Sequence, residues 1–184
     1  GSTHQKILRD SAEANGVALL LSVGGELGDP SAAFAAIIED TLKQNVFIEA
    51  AAGFARRHGY RGIDIDWEYP TRGSEGRARY NRFLTRLRSV LDAWTPRGLI
   101  SMAVPTWYWW NRDAKDPLLD PEVVNACVDF VDLMEYGMQN SSRISHYSPL
   151  FLNPAVNQET WDVRGVREWK AAGVDSTRLV TLIP

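Results

Sequence analysis

The sequence is poor in residues that staple or metallate a domain: its 184 residues include one cysteine, Cys127, and three histidines. A single thiol rules out an intrachain disulfide and a thiolate-built zinc site. His4, His58 and His146 are scattered and match no metal-ligand spacing. Positive charge is not in excess either. There are 20 Lys and Arg against 23 Asp and Glu, giving a formal charge of −3 and a pI near 5.6. That balance lacks the basic footprint expected of a protein that binds nucleic acid or anionic lipid. No run approaches the roughly 18 apolar residues of a membrane span. The start lacks the layout of a signal peptide, and Gly1-Ser2 reads as a cloning remnant. Repeats, low-complexity tracts and charged tails are missing as well. What is abundant is aromatic: 7 Trp, 6 Tyr and 6 Phe, four of the nineteen consecutive at Trp107-Tyr108-Trp109-Trp110.

The length fits a single domain at most, and the 45% hydrophobic and 23% charged composition is that of a globular chain. Short apolar runs alternate with amphipathic stretches. Strands are expected over 17–23, 62–68, 99–104, 130–136 and 178–183. Helices are expected over 45–58, 75–94, 121–127 and 161–172, with a further helix before the first strand. In the clearest helix Tyr80, Phe83, Leu84, Leu87, Val90, Leu91 and Trp94 fall on one stripe, with Ser74 placed to cap its start. Alternation of this kind predicts parallel βαβ units with right-handed crossovers. Two long connections, 106–120 and 137–160, both follow strand C-termini, where α/β folds place their sites.

The segment Arg61-Gly62-Ile63-Asp64-Ile65-Asp66-Trp67-Glu68-Tyr69-Pro70 carries the chemistry. Side chains of a strand alternate faces, so Asp64, Asp66 and Glu68 share one face, about 6.5–7 Å apart along it, and Ile63, Ile65 and Trp67 share the other. In an open antiparallel sheet the acids would simply meet water. In a parallel sheet closed into a barrel they would point into a restricted interior, where an unpaired carboxylate costs several kcal/mol. Two chemistries use such a row, metal binding and acid/base catalysis. The row contains no histidine, which disfavours the first. Like charges so spaced should raise at least one carboxyl pKa.

The whole segment closely resembles the acidic motif of the family 18 glycoside hydrolases, the chitinases and their relatives. Ser22-Val23-Gly24-Gly25, Ser101-Met102-Ala103-Val104-Pro105 and Met134-Glu135-Tyr136 resemble three further landmarks of that family in the same order, so the likeness runs from about Val17 to Pro184. The resemblance implies an α/β fold of the TIM (β/α)8 barrel type, with this chain covering about strands three to seven as an incomplete barrel and residues 1–184 forming one partial catalytic domain. It implies retaining hydrolysis of β-1,4-N-acetylglucosaminide linkages, in chitin or related glycans, with the substrate's own acetamido group as nucleophile. By matching position, Glu68 is the general acid, Asp66 orients the acetamido group, Asp64 shares a proton with Asp66, and Tyr136 donates a hydrogen bond to the acetamido oxygen. Met134, Tyr69, Trp107 and Trp110 are expected to contact sugar. No cofactor or metal is implied, and the family likeness suggests an extracellular protein.

Three departures stand against the likeness. Arg61 occupies a place where the family usually has Asp, and it is expected to pair with Asp64. Gly137 stands where an acidic residue usually follows the Tyr, which leaves open a non-catalytic, glycan-binding relative. Five strands would also leave two unpaired edges. The chain is therefore read as either a fragment or an arc completed by a second chain or a swapped protomer, and in isolation it is expected to have doubtful activity and not to be a stable closed monomer.

Overall fold

The computed structural model describes residues 3–25, 30–68, 73–106, 119–138, 146–152 and 162–182. In chain order these form α1 (Thr3–Ala14), β1 (Leu20–Gly24), α2 (Pro30–Ile38), α3 (Thr41–Arg57), β2 (Gly62–Asp66), α4 (Ser74–Asp92), β3 (Leu99–Pro105), α5 (Pro121–Cys127), β4 (Phe130–Met134), α6 (Asp162–Ala171) and β5 (Leu179–Leu182). Most of the expected elements are present, with two differences. The apolar stretch before residue 40 is a helix of its own, α2. Asp40 starts a new one, its carboxylate accepting from the Leu42 and Lys43 amides at 2.7 and 3.3 Å. The segment of α2, Pro-Ser-Ala-Ala-Phe-Ala-Ala-Ile-Ile, has no charged face and so gives no helical periodicity to read. At α4 the cap is Gly73, with no side-chain bond, and Ser74 is already helical.

All five strands pair in parallel in the order β1-β2-β3-β4-β5. A monotonic order with right-handed crossovers places every helix on the same face of the sheet, the arrangement of a barrel rather than of a doubly wound sheet. The core shows this. Ile63 and Ile65 of β2, Ile100, Met102 and Val104 of β3, and Val131 and Leu133 of β4 are buried beneath Phe34, Ile48, Phe83, Leu84, Leu87, Val124 and Trp169 of the helices. The alternate strand positions, among them Ser22, Asp64, Asp66, Ser101 and Asp132, form the opposite face. Among the described residues the sheet does not close, and β1 and β5 are its edges.

One polar group anchors the helix layer at the N-terminal end of β3. The buried Arg88 guanidinium donates to Asp92 at 2.8 Å, Asp129 at 3.1 Å and the Gly98 carbonyl at 2.6 Å. Asp129 also accepts from the Ile100 amide at 2.8 Å. Cys127 is buried, as a small apolar residue would be.

Candidate active site

The acidic row sits at the C-terminal end of β2. Trp67, between Asp66 and Glu68 in sequence, points to the helix side. It is buried there, stacked on Phe34 with centroids 5.3 Å apart and edge-on to Tyr80 at 5.3 Å. That anchor fixes the chain just past the strand and leaves Asp64, Asp66 and Glu68 half-buried on the other side. Glu68 lies two residues beyond the last paired residue of β2.

Gly24 makes the neighbouring turn possible. Its φ is +126°, and an added Cβ would lie 1.9 Å from the Asp66 carbonyl oxygen, so no other residue fits where β1 ends against the acidic strand. The Gly25 amide then donates to that same carbonyl at 2.7 Å.

Asp64 is held from both flanking strands. Parallel register sets it opposite Ser22 of β1 and Ser101 of β3. The Ser22 hydroxyl donates to Oδ2 and the Ser101 hydroxyl to Oδ1, each at 2.7 Å. Asp66 has its pKa raised by burial, and then by the charges of Glu68 and Asp64. At least one carboxyl of the row was expected to be raised, and Asp66 is one.

Tyr136 lies two residues past β4 and is 38% exposed. Burial raises its pKa first, followed by Glu68, Asp66 and Tyr147, so its hydroxyl shares the field of the acidic row. Its ring stacks on Tyr147, centroids 6.4 Å apart and planes 9° from parallel. Met134, the last residue of β4, is buried and lies on the sheet face that carries Asp132. Tyr69, Trp107 and Trp110 lie outside the described residues.

Asp132 also belongs to the acidic face. It aligns with Ala103, two residues beyond Ser101 on the same face. Its pKa is pushed up to about 6 by burial and by Asp64, against a hydrogen bond with Ser101 that lowers it. Strand parity with register would have found it.

Arg61 does not pair with Asp64. It precedes Ile63 by two residues, so the same alternation that groups the acids turns Arg61 to the helix side, toward the N-terminal end of the sheet. Gly137 has φ +71°, and among the described residues nothing lies within 4 Å of an added Cβ. Among the described residues no group of three or more His, Cys, Asp or Glu is arranged to hold a metal ion.

Comparison with known proteins gives a consistent picture. The model of the Glycosyl hydrolases family 18 matches residues 3–184. A class V chitinase of Arabidopsis thaliana is 28% identical over 175 residues, covering 91% of this chain and 44% of the relative. The chain thus spans less than half of that relative's length. A family 18 chitinase of Cycas revoluta, solved with (GlcNAc)3, superposes with a TM-score of 0.79 at 21% identity, covering 98% of this chain and 55% of the other. A chitinase-like agglutinin of Robinia pseudoacacia gives 0.80 at 25% identity over 96% and 54% of the two chains.

Proposed function

We propose that this chain, which belongs to glycosyl hydrolase family 18, carries the acid machinery of a retaining hydrolase for β-1,4-N-acetylglucosaminide linkages in chitin or a related glycan. The observation that carries this reading is the shared field of Tyr136, Asp66 and Glu68: residues from the ends of two different strands act on one another at one end of the sheet. Glu68 is the proton donor to the leaving glycosidic oxygen. Asp66 faces the 2-acetamido group and orients it for attack on the anomeric carbon. Burial and the charges of Glu68 and Asp64 raise its pKa, which favours its protonated form relative to an isolated aspartate. Asp64, with both oxygens already accepting serine hydroxyls, is the fixed member of the Asp66–Asp64 pair. Tyr136 donates to the acetamido oxygen. Charge builds on that group only as the bond breaks, so these contacts favour the transition state over the bound substrate.

A second reading has its own observation. Gly137 places no side chain where the family usually has an acid, and the similar Robinia pseudoacacia protein is an agglutinin. On that reading the chain binds the glycan without cleaving it.

The two readings part in one pair of measurements: N-acetylglucosamine trimer binding by calorimetry, and release from a chromogenic chitobioside. The hydrolase reading expects Glu68→Gln to abolish release while trimer binding persists. Binding by the unaltered chain with no release selects the second reading. Equal release by the chain and Glu68→Gln removes Glu68 from its role, and absence of both binding and release overturns both readings.

A further inference from the structure

At the N-terminal ends of β1 and β2, four guanidinium groups border one cavity of about 560 Å3 that opens to solvent. Its charged lining is Arg9, Asp10 and Glu13 of α1, Arg56 and Arg57 of α3, and Arg61 at the foot of β2.

Arg56 and Arg57 form the last turn of α3, where cations offset the helix dipole. That need is met by about half an elementary charge, and Arg9 already donates to the His58 carbonyl at 3.2 Å. The guanidinium groups left over are uncommitted. Among the described residues no carboxylate lies within ion-pair distance of Arg56, Arg57 or Arg61. Asp10 is taken by Lys6 instead. Four positive and two negative side chains leave the lining with a formal charge of +2.

Arg61 is rigidly presented. Its amide donates to the Leu19 carbonyl at 2.7 Å, and its carbonyl accepts from the Leu99 amide at 2.9 Å, so the sheet holds its backbone from both sides. Arg61 plays no part in the acidic row.

We propose that this cavity binds a phosphate monoester. A +2 lining matches a dianion, and planar guanidinium forks suit phosphate oxygens better than any other side chain does. The volume falls within the roughly 300–1,000 Å3 of small-molecule sites, more room than a bare phosphate needs, so the ester carries an organic part about the size of a hexose. The site is separate from the acidic row and stands whether or not the chain is a hydrolase.

Calorimetric titration of the 184-residue chain with a hexose 6-phosphate, inorganic phosphate and the uncharged hexose tests this. The ester is expected to bind and the uncharged hexose not. Arg57→Gln with Arg61→Gln should weaken ester binding by about tenfold or more, and Glu13→Gln, which removes an opposing charge, should tighten it by about two- to fivefold. Raising the salt should weaken binding, because the site is open to screening. The gain from Glu13→Gln cannot arise from misfolding. Equal affinity for phosphate and ester overturns the organic part of the proposed ligand. No binding of either phosphate at millimolar concentration overturns the proposal, as does binding indifferent to all three substitutions.

Discussion

Glu135 and Asp162 bury their carboxyl groups together between the end of β4 and the first turn of α6, 0% and 4% exposed. Among the described residues three of their four oxygens have no donor. Burial, and then Asp162, push the Glu135 pKa up to about 8, and burial raises that of Asp162 as well. The pair is boxed in. Gly165 of α6 passes so close that an added Cβ would meet Glu135 Oε1 at 3.0 Å, and the Ser148 hydroxyl donates to the Glu135 carbonyl. Glu135 stands between Met134 and Tyr136, so the protonation of this pair bears on the placement of both.

The consequence is a dependence of stability on pH. The folded state holds the Glu135 proton to about pH 8, whereas the unfolded chain releases it near 4.5. Stability is therefore highest below the unfolded value and falls as pH rises toward 8. Glu135→Gln, which keeps a donor for Asp162, is expected to flatten that fall. The gain should be roughly 1–2 kcal/mol at pH 8 and little at pH 5. Urea melts of both proteins at the two pH values measure it, and parallel stability profiles would remove the pair from this role.

Asp132 should titrate near pH 6 as a resolved carboxyl resonance in carbon-detected NMR. Asp132→Asn is expected to abolish that resonance and to relieve the loss of stability between about pH 4 and 6 that a raised carboxyl imposes. A resonance near 6 that survives the substitution would assign the titration to another group.

The two serines that grip Asp64 should couple to it energetically. Ser101→Ala leaves Asp64 Oδ1 without its donor and should cost about 1–3 kcal/mol, the range for a hydrogen bond to a charged group. Combined with Asp64→Asn the costs should be less than additive, because the two groups share one interaction. Additive costs in a denaturation double-mutant cycle would show that the bond contributes nothing.

Arg88 bonds three acceptors from a buried position. Arg88→Met removes one of two cations beside Asp129, which keeps Arg97 at 2.7 Å, and is expected to cost about 1–3 kcal/mol. Thermal and urea melts measure this. A loss below about 1 kcal/mol would mean that the network is no stronger than a surface ion pair.

The edges of the sheet bear on association. Among the described residues the outer edges of β1 and β5 are unpaired and offer backbone donors and acceptors to other chains. Light scattering coupled to size exclusion is expected to show the 184-residue chain self-associating. A monodisperse 20.6 kDa species with one cooperative melt would overturn this.

Much of the architecture is legible in the sequence alone, for local reasons. The stripe from Tyr80 to Leu91 is a helix face because a 3.6-residue period admits no other reading, and its members are buried against the sheet. The grouping of Asp64, Asp66 and Glu68 followed from the two-residue period of a strand. The expected Arg61–Asp64 pair failed by neglect of that same parity, since Arg61 is three residues from Asp64 and so on the other side. The split between α2 and α3 escaped because an all-apolar helix carries no periodic signal.

The chain on its own therefore determines which side chains stand together along each element, and the motifs that place it in its family. What only the tertiary structure decided is who meets whom between elements: Asp64 with Ser22 and Ser101, 42 and 37 residues away, Asp132 with the acidic face, and Glu135 with Asp162. Those meetings depend on strand register and on where each crossover helix returns the chain. Both are set by packing a whole layer of helices onto one face of the sheet, and no local pattern encodes them.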